Sequence, residues 1–243
     1  MANNYLNKQF DAPELKQEKR LALFLTGWIG FRIIATIIQY IILFIYKTED
    51  VFKRPAISMS VNSIAYIALI IVLLLIINFK KFTEYLKRFA FLKTYIAGVL
   101  CLLAIFAFNF VYGYLISFLK TPVSDNINEA SITSLQELYR VPSILIFGIV
   151  GPICEELTYR VGLFSFCKKK SKVFAYIITI VVFALIHFNF DPNAIVNELL
   201  NLPYYAFAAL AFSYTYDNYG FEASVTAHIL NNLISLSLVS FIK

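Results

Sequence analysis

The sequence predicts an all-α fold: a polytopic transmembrane helical bundle of about seven spans. Three observations carry that expectation. Hydrophobic residues make up 60% of the 243-residue chain and charged residues 15%, against roughly 45–50% and 25% in soluble domains. Apolar runs of roughly 20 residues, the length that crosses a bilayer core, recur from near residue 21 to the C-terminal end. Lys and Arg collect between those runs rather than inside them.

Taken in order, the runs place spans at 22–46, 59–79, 94–119, 141–164, 173–190, 195–216 and 221–242. The fifth is short, and the last two are joined by a tight turn at Asp217-Asn218-Tyr219-Gly220. Residues 1–140 form an N-terminal tail and the first three spans; residues 141–243 form a second segment that carries the candidate chemistry. The polar start, followed by a long apolar run, fits a retained first span rather than a cleaved signal peptide. In the second loop, Phe82, Tyr85, Leu86 and Phe89 recur at helical spacing among lysines, as in a short amphipathic helix on the membrane surface.

Charge sets the orientation. Thirteen Lys and Arg fall on the side of the N-terminal tail and the even-numbered loops, including Lys80, Lys81, Lys87, Arg88 and Lys93, and Lys168, Lys169, Lys170 and Lys172. Six fall on the other side. The N-terminus is therefore expected in the cytoplasm and the C-terminus outside. The formal net charge of +6 hugs the membrane ends, where anionic lipid attracts it, so no nucleic-acid partner is implied. Cys101, Cys154 and Cys167 are odd in number and unpatterned, which excludes a disulfide framework and a CxxC metal site. Cys154 reads as a small apolar filler.

A charge near the bilayer centre costs at least about 2.5–3.5 kcal/mol, so each one there is a candidate functional group. The candidates are Arg32, Glu155, Glu156, Arg160, His187, Glu198 and His228, which include both histidines of the chain. Glu156 and Arg160 are i, i+4 and can pair on one helix face. Glu155, rotated about 100° away, has no such partner. Phe183 and His187 share a face, as do His228 and Asn232. Counted along the helices from the cytoplasmic ends, Glu155 lies about 14 Å in, His187 about 21 Å and His228 about 11 Å. These depths allow one cluster in the inner half of the membrane. Pro152 cannot donate to the Gly148 carbonyl and should loosen the helix just before Glu155.

Such groups suit two chemistries. A carboxylate and an imidazole can activate water, while a second imidazole and an amide donate to a developing oxyanion. Alternatively, Glu155, His187 and His228 are a familiar ligand set for a divalent metal such as zinc. No HExxH, GxGD or GxSxG motif is present, and no repeated halves suggest a transporter. Arg32 is expected to pair with Glu155 or Glu198, or to meet a headgroup or a substrate carboxylate. Asn109, Asn197 and Asn201 read as interhelical hydrogen-bonding residues.

Three ordered motifs, Glu155-Glu156-x-x-x-Arg160, Phe183-x-x-x-His187 and His228-x-x-x-Asn232, resemble those of the CAAX-prenyl-protease and bacteriocin-processing (Abi) family of intramembrane endopeptidases. The likeness covers about residues 141–235. It departs from the family where Val161 separates Arg160 from Gly162, since glycine commonly follows the arginine directly. The resemblance implies that Glu155 with His187 activates water and that His228 with Asn232 stabilises the oxyanion. Glu156 and Arg160 would hold the site together. The family is described both as glutamate-dependent and as metal-dependent. A glutamate-type mechanism without a cofactor is favoured, because His228 beside Asn232 serves better as an oxyanion donor; zinc at Glu155, His187 and His228 is the alternative. Expected partners are membrane lipid and a membrane-associated peptide or protein substrate; the expected location is a bacterial plasma membrane. A non-catalytic scaffold or bacteriocin self-immunity protein of the same fold is the alternative function.

Overall fold

A computed structural model describes residues 14–47, 53–119 and 123–239. Among these, every regular element is helical. We number the helices α1 (Gln17–Tyr46), α2 (Arg54–Ile77), α3 (Phe79–Leu86), α4 (Leu92–Ser117), α5 (Ile127–Leu138), α6 (Arg140–Lys168), α7 (Lys172–Ile186), α8 (Ile195–Tyr219) and α9 (Phe221–Val239). Five of them, α1, α2, α4, α6 and α8, are long and apolar enough to cross a membrane. The other two expected spans are also helices. At 15 residues, α7 is shorter than a straight crossing needs, and α9 carries Glu222, His228, Asn231 and Asn232. The last residues of the expected seventh span, together with Lys8, Lys120 and Lys243 of the charge count, lie outside the described residues.

Contacts near the basic segments gather one end of the bundle. Lys19 donates to the Ile77 carbonyl (3.4 Å) and Arg20 to the Ser165 carbonyl (2.7 Å). Asp217 takes Lys168, Lys172 (2.8 Å) and the Tyr176 hydroxyl (3.1 Å). The loop-two amphipathic helix is present as α3. Its Tyr85 is buried edge-on against Phe221, so part of its apolar face belongs to the bundle. The expected tight turn after α8 is narrower still: helix continues to Tyr219, and Gly220 alone, at φ +94°, reverses the chain.

The opposite end is closed by α5, which lies between the expected third and fourth spans. Its apolar stripe is short, but Asn126 three residues before Glu129 is an N-terminal signature. The Asn126 side chain accepts from the Glu129 amide at 2.8 Å. Glu198, one of the several partners left open to Arg32, is buried at this end. Its two oxygens accept from the amides of Ile127 and Asn189, both at 2.9 Å. One carboxylate thus fixes the start of α5 and the segment following His187. Asn197 and Asn201 bond to the 124–125 backbone rather than across helices.

Helix α6 is wound unevenly. Ile144–Val150 and Glu156–Phe164 are π-helical, with Gly151–Glu155 α-helical between them. The first wide turn ends beside Pro152, where the missing amide predicts a loosened ladder. After the second, Ser165 Oγ donates to the Arg160 carbonyl at 3.0 Å. Helix α1 packs closely along this stretch, and the contact requires glycine. A Cβ on Gly162 would stand 2.9 Å from the Phe24 amide nitrogen, and one on Gly27 would overlap Thr158. The residue displaced from the expected position after Arg160 is therefore the one on which α1 rests.

Two outcomes follow from this packing. Gly162→Ala should cost about 1–3 kcal/mol through overpacking against backbone, lowering the Tm of the purified protein. Gly30→Ala, whose nearest neighbour would be 3.6 Å away, should leave the Tm nearly unchanged. Glu198→Ala should strand the Ile127 and Asn189 amides at about 1–3 kcal/mol each, read as faster proteolytic nicking between residues 187 and 194.

Candidate active site

The second π-helical stretch of α6 begins at Glu156, whose side chain is completely buried. Arg160, also at 0% exposure, stands 3.1 Å from Glu156 Oε1. The expected i, i+4 pair is therefore formed. Helix α9 completes it: His228 Nδ1 lies 2.9 Å from the same oxygen, and Ser224 Oγ donates to Glu156 Oε2 at 2.5 Å. The guanidinium lies over the rings of Phe183 (4.6 Å) and Phe212 (5.3 Å). Its Nε has no hydrogen-bond acceptor among the described residues, and the two π faces supply negative potential there. Breaking such a buried pair typically costs about 3–5 kcal/mol, because one charge is left uncompensated.

Glu155 points elsewhere. Its side chain is 21% exposed and reaches a cavity of about 400 Å³ that also meets His187, His228 and Asn232. The four residues expected to act together therefore do share one cavity. Their pairing differs from the expected one. Glu155 Oε2 is 3.6 Å from His228 Nε2, whereas no hydrogen bond joins Glu155 to His187 among the described residues. An ionised Glu156 can only accept, so Nδ1 of His228 carries a hydrogen and Nε2 faces Glu155.

His187 is the first residue beyond α7, and its Nδ1 faces the Phe183 carbonyl at 2.8 Å. A carbonyl accepts, so Nδ1 bears hydrogen and Nε2 is left as an acceptor. The ring stacks on Tyr205 at 4.5 Å, and the His187 carbonyl accepts from Asn126 at 3.0 Å. Asn232 Nδ2 donates to the Phe147 carbonyl at 3.0 Å, leaving its second hydrogen. Asn231 donates to Asn232 Oδ1 at 3.3 Å and lines the same cavity.

Sequence reading missed Ser224, Tyr205 and Phe212. Ser224 was accessible: Ser224, His228 and Asn232 are i, i+4 and i+8, one face of one helix. Tyr205 and Phe212 reach the histidines only through helix packing, and no local pattern marks them. Arg32 lines the cavity wall on α1 but is exposed and pairs with neither Glu155 nor Glu198. Glu129 of α5, outside the spanning helices, also lines the cavity; burial first, and then the Asp125 charge, hold its carboxyl above the ordinary range. Among the described residues no three His, Cys, Asp or Glu side chains are grouped closely enough to hold a metal ion.

Comparison with known proteins bears on the same stretch. Residues 137–234, which contain all three motifs, match the family described as type II CAAX prenyl endopeptidase Rce1-like. UPF0177 protein YvdC of Lactococcus lactis subsp. lactis (strain IL1403) is 29% identical over 143 residues, or 56% of this chain and 52% of the relative. The chain thus spans about half the length of the curated relative it matches. No solved structure matches it. Residues 137–234 are thus similar to the Rce1-like family, and the three motifs all fall inside that stretch.

Proposed function

We propose that this protein is an intramembrane endopeptidase that hydrolyses a peptide bond of a membrane-associated peptide or protein precursor. The observation that carries the reading is the division of labour between two adjacent glutamates. Glu156 is buried and fully engaged, whereas Glu155 reaches a cavity that both histidines line.

A water between Glu155 and His187 would donate one hydrogen to the carboxylate and the other to His187 Nε2. Its lone pair would then face the scissile carbonyl. Glu155 takes a proton as the water oxygen attacks the carbonyl carbon. The oxyanion accepts from His228 Nε2–H and from the free Asn232 N–H. The proton then passes from Glu155 to the leaving amide nitrogen, and the C–N bond breaks. Donation to the oxyanion places hydrogen on both nitrogens of His228, Nδ1 toward Glu156 and Nε2 toward the cavity. Glu156 orients His228 and fixes which nitrogen faces the cavity.

The reaction as written needs no cofactor. A zinc ion at Glu155, His187 and His228 would instead supply an activated water, and it would require those side chains to converge further than they do. The inferred setting is a bacterial plasma membrane with the N-terminus in the cytoplasm.

Glu155→Gln should abolish cleavage by at least about 100-fold while leaving the folded yield unchanged. Mass spectrometry of peptide termini, comparing membranes with native protein and with Glu155→Gln at equal abundance, tests this. Termini present only with the native protein establish proteolysis and name the substrate. Identical lists, with a phenotype that survives the substitution, leave a non-catalytic scaffold or immunity protein. Glu156→Gln should differ by lowering folded yield as well as cleavage, since it weakens the Arg160 and His228 contacts together. Metal analysis of active purified protein should find less than about 0.1 zinc per chain, with activity surviving chelation; stoichiometric zinc, with activity lost to chelator, would replace the glutamate mechanism by the metal one.

A further inference from the structure

A second cavity, of about 630 Å³, lies beside the first. The two share a wall formed by Glu129, Tyr205, Ala208, Asn231 and Ser235. Its other lining residues show where in the bundle it sits. They include Asn109 and Ser117 from the second half of α4, Ser124 from the segment before α5, and Asn201 and Tyr204 from the first half of α8. Asn231 and Ser235 come from the second half of α9. Each of these positions is at the α5 end, away from the basic segments at 80–93 and 168–172.

The lining is unusual for the interior of a membrane bundle. It is dominated by amides and hydroxyls, and most of its amides are committed: Asn201 to the Ser124 and Asn197 carbonyls, Asn126 to the His187 carbonyl. Asn109, expected to bond between helices, is different. Its Oδ1 is buried and has no hydrogen-bond partner among the described residues. In a membrane such an acceptor is costly unless a ligand or solvent supplies a donor. The lining also carries the carboxylates of Asp125 and Glu129. These acceptors with the open Asn109 oxygen match the N–H groups of an extended peptide rather than a lipid tail.

We propose that this cavity is a solvent-accessible antechamber. It admits the polar, extended segment of a peptide to Glu155 from the end of the bundle opposite the basic loops. The positive-inside rule makes that end the outer face. The inner-half placement expected from helix register gives way to a site reached from outside. Register measures each residue's depth; the opening depends on where α5 and the short α7 leave space. The proposal rests on the proteolytic reading for the peptide, whereas the side of access is independent of it.

The test uses the full-length protein with Ser235→Cys, Asn109→Cys or Lys170→Cys, the three native cysteines being buried. Intact cells and inside-out vesicles are treated with a membrane-impermeant maleimide. Ser235→Cys and Asn109→Cys should be labelled in intact cells, and Lys170→Cys only in inside-out vesicles. Once labelled, Asn109→Cys should lose at least about 10-fold in cleavage, as the adduct occupies space the peptide needs, while labelled Lys170→Cys keeps its rate. Labelling of Ser235 and Asn109 only from the Lys170 side, or from neither side, overturns the antechamber. Outer labelling with cleavage intact in the adduct overturns its role for the peptide. Failure of the proteolytic reading itself appears separately, as native protein that generates no new termini.

Discussion

The bundle is organised around one buried carboxylate. Glu156 holds Arg160, His228 and Ser224 at once, and so ties α6 to α9 where both run through the interior. Arg160 extends the network to α7 and α8 through Phe183, Phe212 and the Ala209 carbonyl at 3.5 Å. Each of the helices α6, α7, α8 and α9 is thereby referred to a single charge centre. Packing alone gives lipid-facing helices little preference for one register over another, because lipid is as apolar as a leucine side chain. A charge network does discriminate, because every misregister leaves an unpaired charge in a low-dielectric interior.

That constraint separates structure from chemistry at adjacent positions. A carboxylate committed to a guanidinium, an imidazole and a hydroxyl is poorly suited to accept a proton from water. Its neighbour, rotated away on the same helix, meets only the far nitrogen of that imidazole, at 3.6 Å, and reaches a cavity. Adjacent residues of a helix point about 100° apart, so one glutamate faces the network and the other the cavity, and wide turns flank this stretch on both sides. Close approach of α1 at Gly27 and Gly162 then supplies a wall that larger residues would push away.

At the other end of the molecule Glu198 plays a comparable part with backbone in place of side chains. By taking the Ile127 and Asn189 amides, it anchors α5 and the segment beyond His187 together. Helix α7 ends at Ile186 with His187 as its cap, so the chain enters the segment held by Glu198 directly after the histidine. The site is thus bracketed by two buried glutamates, one setting His228 and the other the surroundings of His187.

Much of this was legible in the sequence by itself. Composition and apolar run length determined a helical membrane bundle, since in lipid an apolar run of about 20 residues satisfies its polar backbone within itself only as a helix. Spacing determined the Glu156–Arg160 pair, because i, i+4 is local geometry. The resemblance of three ordered motifs identified Glu155, His187, His228 and Asn232 as neighbours, and all four line one cavity. Helix α5 was signalled only by its cap, Asn126 before Glu129, because its apolar pattern is too short to stand out. What the tertiary structure alone decided were relations between helices. These include His228 rather than His187 beside Glu155, Glu198 on two amides rather than on Arg32, Tyr205 and Phe212 stacked on the histidines, and the cavity placed toward α5. The physical reason is that periodicity specifies which residues share a face of one helix, whereas rotation and offset between helices depend on contacts distant in sequence.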